Sequence, residues 1–315
     1  MPPTYQIVDL TPGADPRDSL PSGLSLPANT LVAAQKAQGA LLRTLFIAAD
    51  PEGTAALLGY RRPHTAQLKL CAFGGDSSLF DQLLRHASQE TQKLGLDVKT
   101  ELGDASQHPL VTPHAVHPAN YHQTTEFTCG PVAVLDALLH KGVVERITRD
   151  EEIALWREAT MAVACDPYGL ALACKRRGFT PSVYVSRTGC ILDPASGTGI
   201  LNKALARDIQ LSFEQQAHEE GIPIRVGDFD TSDIARFLDE GRIVVLLIDE
   251  WHWHAERCPH WITVIGRRNM RFYLNDPWHD REYGESVVDT GGLAIDKNDL
   301  DLVSSYDGTK AMLVF

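Results

Sequence analysis

The sequence predicts an α+β protein in two parts, a small α/β unit followed by a larger domain in which helices precede strands. Three observations predict it. A chain of 315 residues is long for one minimal domain and comfortable for two. The first third carries one strand pattern followed by one helix pattern, and a proline-punctuated stretch then separates it from the rest. Beyond that stretch, apolar positions recur first at helical spacing and then as short strand-like runs, the order of an α+β chain. Hydrophobic residues make up 43% and charged residues 22% of the chain, enough to build a core and no compositional case for disorder.

The first part is expected over residues 1–115. Up to about residue 30 it is rich in Pro, Gly and Asp and reads as irregular or edge structure. Residues 31–48 begin helical and turn strand-like at Leu45-Phe46-Ile47. Ala66 to Phe73 alternates, with Ala66, Leu68, Leu70 and Ala72 on one face, as a half-buried strand does. Residues 79–94 repeat apolar positions at helical spacing, with Asp76, Ser77 and Ser78 as capping candidates and Gly95 as a stop. Residues 103–120 hold Pro109, Pro113 and Pro118 without an apolar period and read as a linker. Its histidines, His108, His114 and His117, fit a polar linker better than a metal site.

The second part is expected over residues 116–315. Helices are predicted over 130–141, 153–163, 169–177, 201–220 and 231–240, and strands over 182–186, 243–248, 261–265, 271–274 and 311–315. The formal net charge of -12 opposes a phosphate backbone or an anionic bilayer, and the short basic clusters are not gathered on one face. Nucleic acid and membrane partners are therefore not expected. The amino terminus lacks a basic start followed by an apolar run, and no apolar stretch approaches bilayer length, so a cytoplasmic location is expected. The six cysteines show no dense pairing pattern, which leaves thiol chemistry open.

That chemistry is expected at Cys129. Pro131 suits a first helical turn, so Cys129 sits at a helix amino terminus, where unpaired N–H groups and the helix dipole favour the nucleophilic thiolate. Thr128 is a candidate cap, and Gly130 leaves room beside the sulfur. Gln123, six positions earlier, is near enough to donate to an oxyanion, a contribution of roughly 3 to 4 kcal/mol in comparable sites. A thiolate needs a base and the base an orienting acceptor. His260 stands at the head of an apolar strand, and Asn275-Asp276-Pro277 follows the next one, so a hairpin would set Asp276 beside His260. The competing reading is zinc at His252, His254, Cys258 and His260, which Trp251, Trp253 and Trp261 interrupt and no second ligand pair completes. Neither a metal nor a cofactor is expected.

Gln123 with Cys129-Gly130, His260 and Asn275-Asp276-Pro277 resemble cysteine peptidase family 39, the bacteriocin-processing peptidases of papain-like fold. Through Gln123 to Pro131 and Tyr168-Gly169-Leu170-Ala171-Leu172-Ala173 the chain looks like the stand-alone cytoplasmic branch of that family. The resemblance covers roughly residues 116–315. It implies a triad of Cys129, His260 and Asp276, with Gln123 completing an oxyanion hole, acting on a peptide. Transporter-linked relatives cut after paired glycines and carry membrane-spanning and ATP-binding domains; neither is seen here, so that substrate is not carried over. Some relatives carry an acetyltransferase-like domain in front, which Gly59-Tyr60-Arg61-Arg62 faintly resembles without its glycine-rich pyrophosphate loop, implying a binding or degenerate domain. Tyr168, Gly169, Trp253 and Trp261 are the expected substrate-binding residues. The same triad would serve an acyl or peptidyl transferase, and a non-catalytic peptide-binding module is the reading from another class. Nothing in the sequence sets the oligomeric state.

Overall fold

The computed structural model describes residues 2–36, 41–102, 121–160, 164–192 and 203–315. They divide into two compact units. The first takes in the described residues up to Val116 together with His252–Ala255 and His279–Asp289; the second holds those from His117 to Trp251, Glu256–Trp278 and Thr290–Phe315. The expected linker at 103–120, with its three histidines, lies outside the described residues.

In the first unit, β1 (Thr4–Leu10), β2 (Leu42–Ala49), β3 (Thr54–Arg61), β4 (Gln67–Gly75) and β5 (Asp97–Thr100) form one sheet in that order. The pairings are antiparallel except for the parallel β4–β5 pair. Helix α1 (Ala28–Lys36) precedes β2, and α2 (Phe80–Lys93) makes the crossover from β4 to β5. Apolar side chains cover both faces. Phe46, Leu57 and Leu70 pack with Leu79, Leu83 and Ala87 around α2, whereas Leu45, Leu58 and Ala72 pack with Leu10 and Leu31. A strand buried on both faces shows a continuous apolar run and no alternation, which is why Thr54-Ala55-Ala56-Leu57-Leu58 gave no period-two signal. The start before residue 30, expected as irregular or edge structure, contains the edge strand β1.

The second unit is mixed as well. Helices α3 (Cys129–His140), α4 (Arg149–Ala159) and α5 (Pro167–Arg176) come first. Then follow β6 (Ser182–Val185), α6 (Lys203–Glu219), β7 (Ile224–Val226), α7 (Thr231–Asp239), β8 (Val244–Asp249) and the one-turn α8 (Trp251–His254), whose last three residues belong to the first unit. The chain closes with β9 (Pro259–Arg268), β10 (Arg271–Asn275), the one-turn α9 (Val287–Thr290), whose first three residues belong to the first unit, β11 (Leu293–Asp296), α10 (Lys297–Val303) and β12 (Ala311–Val314). The sheet order is β11-β10-β9-β8-β12-β6-β7, antiparallel apart from β6–β7. The mixture of helices and largely antiparallel sheets is the α+β composition expected. Helices lead in this unit, although α6, α7 and α10 interleave with its strands.

The packing of α3 on β9 positions the site. Thr263 in β9 donates its hydroxyl to the Ala133 carbonyl of α3 at 2.9 Å, and Ala133, Val134, Leu247, Trp261 and Leu313 share one buried cluster. No described helix is long and apolar enough to cross a membrane.

Candidate active site

Cys129 is the first residue of α3 and is 7% exposed. Thr128 does not cap the helix as the sequence suggests. Its backbone, at φ -98 and ψ 19, is not extended, and no side-chain bond reaches the helix N–H groups. Its hydroxyl instead donates to the fully buried carboxylate of Glu152 and lies 2.9 Å from the Thr125 hydroxyl. A carboxylate is a stronger acceptor than water, and a hydroxyl facing one becomes its donor. The leading N–H groups of α3 therefore keep no side-chain partner among the described residues at the place where an anion would form.

His260 is the second residue of β9, and Asp276 directly follows β10. The hairpin register, Asn275 opposite Thr263, brings the two side chains together. His260 Nε2 donates to Asp276 Oδ1 at 2.7 Å, and Asp276, fully buried, also accepts the Trp278 N–H at 2.8 Å. The Cys129 side chain is among the groups that act on the same imidazole, which puts its sulfur beside the ring. With Nε2 directed at Asp276, Nδ1 is the ring nitrogen left for the sulfur. Burial disfavours the imidazolium, but the carboxylates of Glu250 and Asp276, with the Asp276 hydrogen bond and the Cys129 side chain, raise the ring well above its ordinary value of 6.5.

Glu250 is a site residue that the sequence reading missed. It follows β8, is buried, and its Oε2 lies 3.9 Å from His260 Nε2. Its signal lies in the register. Ile248 pairs with His260, so Glu250, two residues on, is a diagonal neighbour on the same face. That pairing is invisible until β8 and β9 are aligned.

Gln123 lies buried in the loop that leads into α3. Its backbone N–H donates to Pro277 O at 3.0 Å and its Nε2 to Thr125 O at 2.9 Å. One Nε2 hydrogen stays uncommitted, and the buried Oε1 has no partner among the described residues. Glu152, also missed, organises this loop. Besides Thr128 it accepts the Thr124 N–H at 2.7 Å, the Thr124 hydroxyl at 3.0 Å and the Tyr121 hydroxyl at 3.0 Å.

A profile described as the Peptidase_C39 like family matches residues 118–314. The chain belongs to the Peptidase_C39 like family. The match covers Gln123, Cys129, His260 and Asp276 and leaves the residues before 118 outside it. No curated protein matches the chain.

Within this Peptidase_C39 like region the residues expected to bind substrate are packed instead. Tyr168 is fully buried with its hydroxyl on Glu214 at 3.2 Å, and Trp261, 1% exposed, donates Nε1 to Cys165 O at 3.0 Å. A Cβ on Gly169 would sit 2.0 Å from the Ala159 carbonyl, so glycine lets α5 approach the end of α4. Gly130 is likewise a packing glycine. A Cβ there would meet Trp261 Cδ1 at 3.1 Å and Leu170 at 3.2 Å, so it lets the start of α3 close on the start of β9 and does not open the sulfur to substrate. Trp253, fully buried, belongs to the first unit, with Arg62 5.2 Å from its ring centre.

Among the described residues no group of three or more His, Cys, Asp or Glu side chains is arranged to hold a metal ion. Of the four residues of the competing zinc reading, His254 pairs with Glu285 at 2.9 Å while His260 pairs with Asp276. All six cysteines are free thiols. Burial raises Cys165 and Cys174 far above the ordinary thiol value and pushes Cys71 up to about 11. Desolvation, then the neighbouring Cys129, brings Cys258 to about 11.

Proposed function

We propose that the second unit is a papain-like cysteine peptidase that cleaves a peptide through a thioester on Cys129. The observation that carries this reading is the imidazole of His260, hydrogen-bonded to the buried carboxylate of Asp276 with the Cys129 side chain beside it. His260 Nδ1 takes the thiol proton, and the sulfur adds to the substrate carbonyl. Negative charge moves to the carbonyl oxygen, where the uncapped N–H groups of α3 and the free Nε2 hydrogen of Gln123 are the candidate donors. Collapse breaks the C–N bond, and the leaving amine takes the proton from the imidazolium. Water, deprotonated by His260, then adds to the thioester; the acid leaves and the thiol is restored. Asp276 fixes the tautomer and stabilises the imidazolium. Free thiols at all six cysteines suit a reducing compartment such as the cytoplasm.

The first test is alkylation by iodoacetamide across pH, with peptide mapping, in wild type and His260→Ala. Cys129 is expected to label fastest at about pH 6 to 7, where an ordinary thiol is mostly protonated, and to lose that lead in the variant. Labelling no faster than at Cys71 or Cys190 would sink the catalytic reading and leave a peptide-binding module. Turnover of a peptide mixture with excess glycinamide then separates hydrolysis from transfer, since transfer yields a new amide.

A further inference from the structure

Across the first unit's sheet, Arg43 of β2 stands opposite Tyr60 of β3, and Tyr60 opposite Lys69 of β4. All three are buried, Arg43 to 5% exposure, and together they wall a cavity of about 450 Å³ that Glu101, Arg281 and Tyr283 also line. That volume falls within the roughly 300–1,000 Å³ of small-molecule sites.

The charges in this wall are unevenly matched. Lys69 Nζ reaches Asp289 at 2.5 Å, Glu101 at 2.9 Å and the Gly284 carbonyl at 3.0 Å, which uses its three hydrogens. Glu285 is equally committed. It takes Arg62 through Nε at 2.6 Å and Nη2 at 2.9 Å, His254 at 2.9 Å, the Tyr60 hydroxyl at 2.9 Å and the Asp280 N–H at 2.7 Å. The Arg43 guanidinium has no hydrogen bond and no ion pair among the described residues. Its carbon lies 5.7 Å from the centre of the Tyr60 ring. Burial without a counter-ion pulls its pKa down. Among the described residues Arg281 commits only Nε, to His279 at 3.0 Å. A buried guanidinium with five donors and no acceptor is expensive, and a planar acid group is the partner its fork fits.

We propose that this cavity binds a small molecule bearing a carboxylate or a phosphate monoester, its acid group seated on Arg43 with Arg281 nearby and its body along Tyr60 and Tyr283. The proposal is independent of Cys129 and needs no turnover. The test titrates the full chain with inorganic phosphate and, separately, succinate, reading heat of binding and thermal midpoint in wild type, Arg43→Met and Arg43→Lys. At least one acid is expected to bind wild type saturably and raise the midpoint, and which one does identifies the acid class. In both variants that binding should weaken by roughly tenfold or more, the loss of a charge-assisted hydrogen bond. Without ligand, Arg43→Met should melt no lower than wild type, because it removes an unpaired buried charge at nearly constant volume. Two results overturn the proposal: neither acid binds wild type saturably, or both variants bind as tightly as wild type. A lower ligand-free midpoint in Arg43→Met would also overturn it, by giving Arg43 a purely structural role.

Discussion

Burying an imidazole disfavours its cation, yet His260 is held above its ordinary value because Glu250 and Asp276 lie against it. Since the folded value exceeds 6.5, the stability the ring contributes is complete below that pH and is lost as pH rises through the folded value. Glu250→Gln removes one carboxylate and keeps the shape, so the alkaline limit of fast Cys129 labelling should move to lower pH. Rates measured between about pH 5 and 10 check this, and an unchanged profile would show that Asp276 alone sets the proton. The pairing of His260 with Asp276 was legible because two adjacent strands and a turn suffice to place them. Glu250 was not, because its nearness depends on the pairing of β8 with β9. Gly130 was misread for a related reason, since Trp261 and Leu170, the neighbours that demand glycine, come from other elements.

Elements announce themselves when their end signals are local. Thr148 caps α4 by accepting the Glu151 N–H at 3.3 Å, Asp166 caps α5, and Asp230 with Asp233 forms a capping box at α7. Helix α3 obeys a different logic, because Glu152 of α4 takes Thr128 away from it. This places the entrance to α3 under the control of a neighbouring helix. Glu152→Gln replaces one acceptor oxygen with a donor that faces other donors. The variant should lose about 2 kcal/mol of stability, and Cys129 should label more slowly at unchanged pH dependence, because Gln123 and Cys129 share the loosened loop. Urea unfolding and labelling rates read the two effects, and a destabilised variant that labels at the wild-type rate would detach Glu152 from the site. Strand β3 and the short β5, β7 and β11 escaped the sequence reading because burial on both faces, or a length of three or four residues, erases periodicity.

At whole-molecule scale, two buried carboxylates without a full counter-charge tilt stability toward mild acid. Asp136, in α3, is 4% exposed and is raised by burial from 3.8 to about 7, against the lowering effect of the hydrogen bond from Asn275. The Asn275 amide donates to it at 2.9 Å, and His140 lies 3.7 Å away. Asp166 is likewise raised to about 7 by burial. Because the folded values lie above the unfolded ones, the native state binds more protons between about pH 4 and 7, and stability falls as pH rises through that window. At most about 4 kcal/mol is at stake at Asp136, since each unit is worth about 1.4 kcal/mol. Asp136→Asn keeps an acceptor for Asn275 and removes the titration. It should therefore melt above wild type at about pH 8, match it near pH 5, and show a shallower decline between them. Thermal midpoints across this range decide the matter: a variant whose decline parallels wild type would mean that Asp136 stays ionised in its burial site, with His140 supplying the missing charge.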